Sequence, residues 1–71
     1  MQTSFSLKAA RVNAGYTQEQ VAEHLGRNVM TVSSWETGKT APKWTDLKKL
    51  SKLYKMEIGS FRLGGQEGEQ K

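Results

Sequence analysis

Residues 17–39, TQEQVAEHLGRNVMTVSSWETGK, contain the signals for two short helices separated by a sharp turn. Thr17 and Gln20 fit a capping box, because the threonine hydroxyl can accept an amide proton of the first helical turn and the glutamine can reach back to the Thr17 amide. Gly26 permits the left-handed backbone that ends a helix, and Asn28 is a good N-cap for the next one. The stretch therefore predicts a helix, a short turn and a second helix.

Apolar residues in this stretch recur at helical spacing, which predicts that the two helices share one buried side. The predicted inward residues are Val21, Ala22, Leu25, Val32 and Trp35. The predicted outer face of the second helix carries Val29, Met30, Ser33 and Ser34. Two short helices, a glycine-containing turn and a shared apolar set together indicate a helix-turn-helix.

The rest of the chain also favours short helices. A first helix is predicted near residues 6–14, and a fourth is predicted from a cap at Thr45 or Asp46 through about Tyr54. A last turn or two is predicted near residues 57–63, where Ile58, Phe61 and Leu63 can pack into the domain or against a second copy. The fold class is therefore all-α, a compact bundle of about five short helices.

The chain ends in a glycine-rich segment with little to bury. We expect one helix-turn-helix domain over residues 1–63 and a flexible tail over residues 64–71.

The two tryptophans are expected in different surroundings. Trp35 lies at the helical spacing of the buried residues and is expected in the core, whereas Trp44 follows Pro42 and is expected either to cap the core or to lie exposed.

The charge balance favours an anionic partner. The 71 residues include eleven Lys and Arg against seven Asp and Glu, for a net charge of +4, and the chain without residues 64–71 has ten and five, for +5. Such a density is typical of nucleic-acid binding, although a charge of this size also serves solubility. We expect Lys48, Lys49, Lys52 and Lys55 to form a solvated helix face rather than a second nucleic-acid site.

Composition argues against several other classes. There is no cysteine, and His24 is the single histidine, so no metal site or other cofactor is expected. No serine is accompanied by a positioned base, so we expect no enzyme activity. No signal peptide or run of roughly 20 apolar residues is present, so the protein is expected to be soluble and intracellular, with no membrane partner.

The segments YTQEQVAEHLG and TVSSWETGK, together with the proline at 42, resemble the Cro/CI-type (XRE-like) helix-turn-helix family of phage repressors and related bacterial regulators. The resemblance covers roughly residues 5–63. It implies a lambda-repressor-like DNA-binding fold and a small transcriptional regulator in the cytoplasm of a bacterial host cell, associated with the nucleoid when bound to DNA. Double-stranded operator DNA is the implied partner, with a homodimer as the possible binding species.

The same resemblance implies roles for particular residues. The second motif helix, over about residues 28–37, would enter the major groove, and its candidate contacts are Asn28, Val29, Met30, Ser33 and Ser34. The candidate phosphate contacts, which would set register without reading sequence, are Gln18, Thr37, Lys39 and Lys43. Arg11 and Glu36 match family positions that pair with each other, so a structural ion pair between the first and third helices is expected.

Val29 and Met30 depart from the family pattern, which usually has hydrogen-bonding side chains there. Apolar groups can meet thymine methyl groups, or they can pack against the protein's own loops. They can also mark a protein-binding surface, as in a phage modulator of repression, an antirepressor-like protein that binds the cognate repressor in the switch between lysis and lysogeny. An antitoxin-like protein with both activities is a third hypothesis.

Overall fold

The computed structural model describes residues 5–62. Four α-helices account for most of this range, namely α1 (Leu7–Ala14), α2 (Gln18–Leu25), α3 (Val29–Thr37) and α4 (Trp44–Tyr54). A short 3₁₀ turn (Ile58–Ser60) and two strands of two residues each, β1 (Phe5–Ser6) and β2 (Phe61–Arg62), complete it. The predicted all-α helix-turn-helix class is confirmed. Among residues 5–62, no helix combines the length and apolar character that crossing a membrane requires.

The motif helices begin and end where their capping residues predict. The Thr17 hydroxyl accepts from the Gln20 amide at 3.1 Å, and the Gln20 side chain accepts from the Thr17 amide at 2.9 Å. Asn28 Oδ1 accepts from the Met30 amide at 2.8 Å at the start of α3. Gly26 ends α2 in the left-handed region with φ of 68°, a conformation that costs glycine no steric strain. These local bonds define the helix-turn-helix frame.

The core lies between the four helices, and the motif helices contribute half of it. Its ten buried apolar members are Leu7, Ala10, Val21, Ala22, Leu25, Val32, Trp35, Leu50, Tyr54 and Phe61. All five inward residues predicted for α2 and α3 are among them. Ile58 is only half-buried, and Met56 rather than Ile58 packs against the core after α4.

The predicted cap of α4 was wrong. The helix begins at Trp44 with Lys43 as the N-cap, so Thr45 and Asp46 both lie inside the first turn. The carboxylate of Asp46 accepts from the Lys43 amide at 3.4 Å, which satisfies a free donor of the helix start from within the helix. Pro42 is buried.

The predicted fifth helix was also wrong in its type. The segment over residues 58–62 is a single 3₁₀ turn followed by β2, which pairs in parallel with β1 in the register Phe5 to Phe61 and Ser6 to Arg62. Backbone groups at the two ends of the described chain satisfy each other in this pairing. Leu63 and the predicted tail over residues 64–71 lie outside the described residues.

An aromatic chain joins α2, α4 and β2. The Tyr54 ring lies 6.4 Å from that of Tyr16 and 6.1 Å from that of Phe61, and Tyr16 meets His24 edge-on at 5.5 Å. Burial raises the pKa of the Tyr54 hydroxyl well above its ordinary value, and the negative charge of Glu36 raises it further. The phenol therefore stays protonated in the folded state at alkaline pH.

This shift predicts a loss of stability in alkali that depends on Tyr54. The unfolded chain releases the phenol proton near pH 10 whereas the folded chain retains it, so the stability is complete below that pH and falls as the pH rises further. We expect the free energy of unfolding of the wild-type chain to fall, in total between about pH 8 and about pH 11, by about 1.4 kcal/mol more than that of Tyr54→Phe, most of it above about pH 10. Urea unfolding from about pH 8 to about pH 11 measures this difference. Identical slopes would contradict it.

Candidate nucleic-acid interface

Helix α3 presents one buried side and one open side. Val32 and Trp35 are buried, with exposures of 1% and 5%, and they hold the helix against the core. On the open side Met30 is 73% exposed, while Ser33 and Ser34 are half-buried. The open side therefore offers a methionine thioether and two hydroxyl groups to a partner.

Val29 and Met30, which the sequence groups together, differ in the structure. Val29 is half-buried and packs against the core, whereas Met30 points into solvent. The structure therefore separates the two residues, because Val29 packs inward against the core and Met30 does not. Asn28 is exposed, and because its oxygen caps the helix, its side-chain NH₂ group is the part that remains to donate to a ligand.

Glu36 of α3 is the centre of a polar cluster with Arg11 of α1 and Gln18 of α2. Arg11 Nε donates to Glu36 Oε2 at 2.7 Å and Arg11 Nη2 donates to Glu36 Oε1 at 3.3 Å. The Glu36 side chain is only 4% exposed and that of Arg11 12%. Arg11 also donates to the Tyr16 carbonyl at 2.9 Å, and the hydrogen bond to Glu36 is the main cause that raises the pKa of Arg11. The pair connects α1 to α3, as the sequence resemblance implies.

Gln18 joins the same cluster. Its side-chain nitrogen donates to Glu36 Oε1 at 2.9 Å, which fixes the first residue of α2 against α3. A primary amide has two donor hydrogens, so the second remains for another acceptor. The first turn of α2 also carries the positive end of the helix dipole, which favours an anion there.

A second ion pair, between Arg27 and Asp46, was missed by the sequence interpretation. Arg27 Nε and Nη2 donate to the two carboxylate oxygens of Asp46 at 3.1 and 3.0 Å. Asp46 is buried at 2% exposure, whereas the Arg27 side chain is 40% exposed. The pair fixes the turn of the helix-turn-helix to the start of α4. Helical spacing indicates only the burial of Asp46, which lies one turn before Leu50 and two before Tyr54 on the buried stripe, and it gives no signal for Arg27.

The remaining candidate phosphate contacts surround the end of α3. Thr37, Lys39 and Lys43 are all exposed. The Lys39 amide donates to the Ser34 carbonyl at 3.0 Å, and the Thr37 hydroxyl donates to the Ser33 carbonyl at 3.1 Å. The backbone of this loop is thus held while the lysine ammonium groups are free to reach outward. Trp44, beside Lys43, is 62% exposed and does not cap the core.

The geometry agrees with the comparisons to known proteins. The chain matches the helix-turn-helix family model HTH_3 over residues 7–61, the range from the start of α1 to β2. It is 36% identical over 67 residues to the HTH-type transcriptional activator BcrR of Enterococcus faecalis, a match that covers 94% of this chain and 32% of that protein. The chain thus corresponds to about a third of this curated relative. No solved structure matches significantly.

The family match spans all four helices, and the structure has the capped helix pair, the glycine turn and the buried set that define the motif. The chain belongs to the XRE-like helix-turn-helix family.

Proposed function

We propose that this protein is a DNA-binding transcription regulator of Cro/CI type that inserts α3 into the major groove of operator DNA. The observation that carries the proposal is the open side of α3, with Met30 at 73% exposure, on a helix pair that two ion pairs attach to α1 and α4. Sites that position contact groups on rigid elements are suited to sequence recognition. Membership of the helix-turn-helix family and the name of the curated relative support it.

The contacts divide into base-reading and phosphate-holding groups. Met30 would meet a thymine methyl group, and the hydroxyl groups of Ser33 and Ser34 would exchange hydrogen bonds with base edges. The half-buried Val29 would serve mainly as packing that sets the angle of α3. The side-chain NH₂ group of Asn28 would donate to a base or a phosphate at the helix start.

Phosphate contacts would lie on both sides of α3. At the start of α2, the side-chain amide of Gln18 would donate its second hydrogen to one phosphate. The positive end of the helix dipole would also favour a phosphate there. Beyond the end of α3, Lys39 and Lys43 would neutralise others, with Thr37 beside them. These contacts would set the register of the protein on the duplex. A homodimer would place two copies of α3 on half-sites about one helical turn of DNA apart.

We expect fluorescence anisotropy with duplexes that tile the protein's own regulatory region to reveal one tight site. Binding to that site should exceed binding to scrambled duplexes by about a thousandfold or more. Lys39→Ala should weaken binding to specific and scrambled duplexes alike and flatten the slope of log affinity against log salt by about one unit. Titrations at two or more salt concentrations measure both effects.

Lys8→Ala is the matched control, because it removes the same charge from the exposed side of α1. It should leave the salt slope nearly unchanged. Equal and weak binding to every duplex would refute operator recognition, and an equal slope for the two lysine variants would refute the assigned role of Lys39.

A second candidate function is favoured by the exposure of Met30. A large apolar side chain on an otherwise polar surface suits a protein partner, and the function would then be that of a modulator that binds a cognate phage repressor and changes its DNA binding. Met30→Glu should abolish such a complex in gel filtration of the two proteins mixed. If the wild type binds operator tightly and forms no complex with the repressor, the modulator hypothesis is wrong, whereas a complex that survives Met30→Glu would show that Met30 is not its contact.

A further inference from the structure

Two adjoining surface cavities lie along α4, and neither is lined by a residue assigned to DNA. One, of about 260 Å³, is lined mainly by Lys48, Lys49 and Lys52. The other, of about 280 Å³, shares Lys49 and Lys52 and extends to His24, Leu25 and Leu53, so it lies between the end of α2 and the middle of α4. We call these two cavities together the lysine groove. It contains none of the candidate DNA contacts.

The lysine groove is positively charged. Its three lysines are exposed, and none forms an ion pair with another residue of the described range 5–62. Asp46, the acidic residue of α4, is occupied by Arg27 on the buried side of the helix. Within the described part of the chain, the groove therefore presents unpaired positive charge to a partner.

The second cavity of the lysine groove, unlike the first, has apolar side chains in its lining. Leu25 is a core residue and Leu53 is half-buried against the core, yet both line the cavity. Apolar side chains at the centre and charged side chains at the edge are the arrangement of a protein-binding surface. Lysines that only hold phosphates need neither a cavity nor leucines, because they act as point charges at the backbone. The combination favours a protein partner over a second duplex.

We propose that the lysine groove is a docking site for an acidic amphipathic helix of another protein. The apolar stripe of such a helix would lie against Leu53 and the small exposed part of Leu25, and carboxylates beside the stripe would meet the lysines. Lys48 and Lys52 lie one turn apart on α4, which matches acidic residues spaced by one turn on the partner. Helix-in-groove binding uses this pairing of an apolar stripe with complementary flanking charge.

This proposal goes beyond DNA binding and does not depend on it. A regulator that docks a second protein on α4 while α3 holds DNA would bring that protein to the operator. The two surfaces can be tested separately because they share no residue.

The test uses the full 71-residue chain labelled with ¹⁵N and a synthetic probe. The probe is an end-capped, alanine-based peptide with leucines three and four residues apart on one face and glutamates beside them. We expect the amide signals of His24, Lys49 and Leu53 to shift and saturate at low salt. A peptide of the same composition with its leucines scattered around the helix should bind at least about fivefold more weakly.

Charge reversal supplies the matched variants. Lys49→Glu should weaken probe binding by about fivefold or more, whereas Lys8→Glu, with the same change in net charge on α1, should alter it by less than twofold. A probe with lysines in place of its glutamates should bind the Lys49→Glu variant better than the wild type. Both variants change exposed positions, so their folds should remain intact, and the spectra themselves report this.

Three outcomes would overturn the proposal. The first is the absence of shifts in the lysine groove at millimolar probe. The second is equal binding of the ordered and scattered peptides, which would indicate charge attraction alone. The third is a result with duplex DNA in place of the peptide. If the duplex shifts the same amide signals in the wild type but not in Lys49→Glu, the groove is a nucleic-acid surface instead.

Discussion

Replacing Glu36 with alanine is expected to lower the free energy of unfolding by about 3 to 5 kcal/mol. The side chain is 4% exposed and accepts from Arg11 and Gln18, so its removal leaves the nearly buried guanidinium without its counter-charge. A single core of this size supplies about 3 to 5 kcal/mol in total. Glu36→Ala should therefore be largely unfolded at 25 °C, as measured by circular dichroism and by its melting temperature.

The control is the double variant Arg11→Met/Glu36→Met, in which no charge is left unpaired. Apolar replacement of a buried pair is often neutral or stabilising, so the double variant should be more stable than Glu36→Ala. Glu36→Gln, which keeps an acceptor for Gln18, should fall between wild type and Glu36→Ala. A loss below about 1 kcal/mol for Glu36→Ala, the range of exposed pairs, would show that the cluster does not hold α1 to α3.

Replacing Arg27 with methionine is expected to lower the free energy of unfolding by about 3 kcal/mol. The change leaves the carboxylate of Asp46 buried at 2% exposure with the Lys43 amide as its remaining partner in the described structure. The cost lies at the lower end of the range for broken buried pairs, because Arg27 itself is 40% exposed and the pair is partly hydrated. Urea unfolding followed by tryptophan fluorescence measures it.

Lys48→Met is the matched control for Arg27→Met, since it makes a similar exchange on the exposed side of α4. It should change the free energy of unfolding by no more than about 0.5 kcal/mol. The double variant Arg27→Met/Asp46→Leu should recover part of the loss, because it removes the buried charge together with its partner. Equal losses for Arg27→Met and Lys48→Met would mean that the ion pair does not stabilise the turn.

The helix-turn-helix could be predicted from residues 17–39 because its signals are local. The capping box joins residues three apart in the sequence, and the Asn28 cap joins residues two apart. Both can therefore be predicted without reference to distant parts of the chain. The inward set of α2 and α3 was equally local, since helical spacing decides which residues share a side. The start of α4 was mispredicted because Asp46 satisfies the helix start from its third helical position, whereas either Thr45 or Asp46 was expected to precede the helix as its N-cap.

The functional surface was less predictable. Val29 and Met30 are adjacent apolar residues at the start of one helix, and nothing in their sequence separates the half-buried residue from the exposed one. Their difference depends on where the core surrounds α3. The lysine groove is similar: the sequence indicated a charged face on α4, but the second cavity of the groove depends on the end of α2, which lies beside α4 and contributes His24 and Leu25.

The helix-turn-helix, its caps and the buried faces of its helices follow from the order of residues in the chain, because interactions over two to four residues specify them. The attachment of that motif to the rest of the domain depends on long-range packing. The Arg27–Asp46 pair, the Gln18 contact to Glu36 and the parallel pairing of Phe5–Ser6 with Phe61–Arg62 join segments far apart in the chain. Such contacts form only where packing brings their partners together and removes them from water, so no local pattern specifies them.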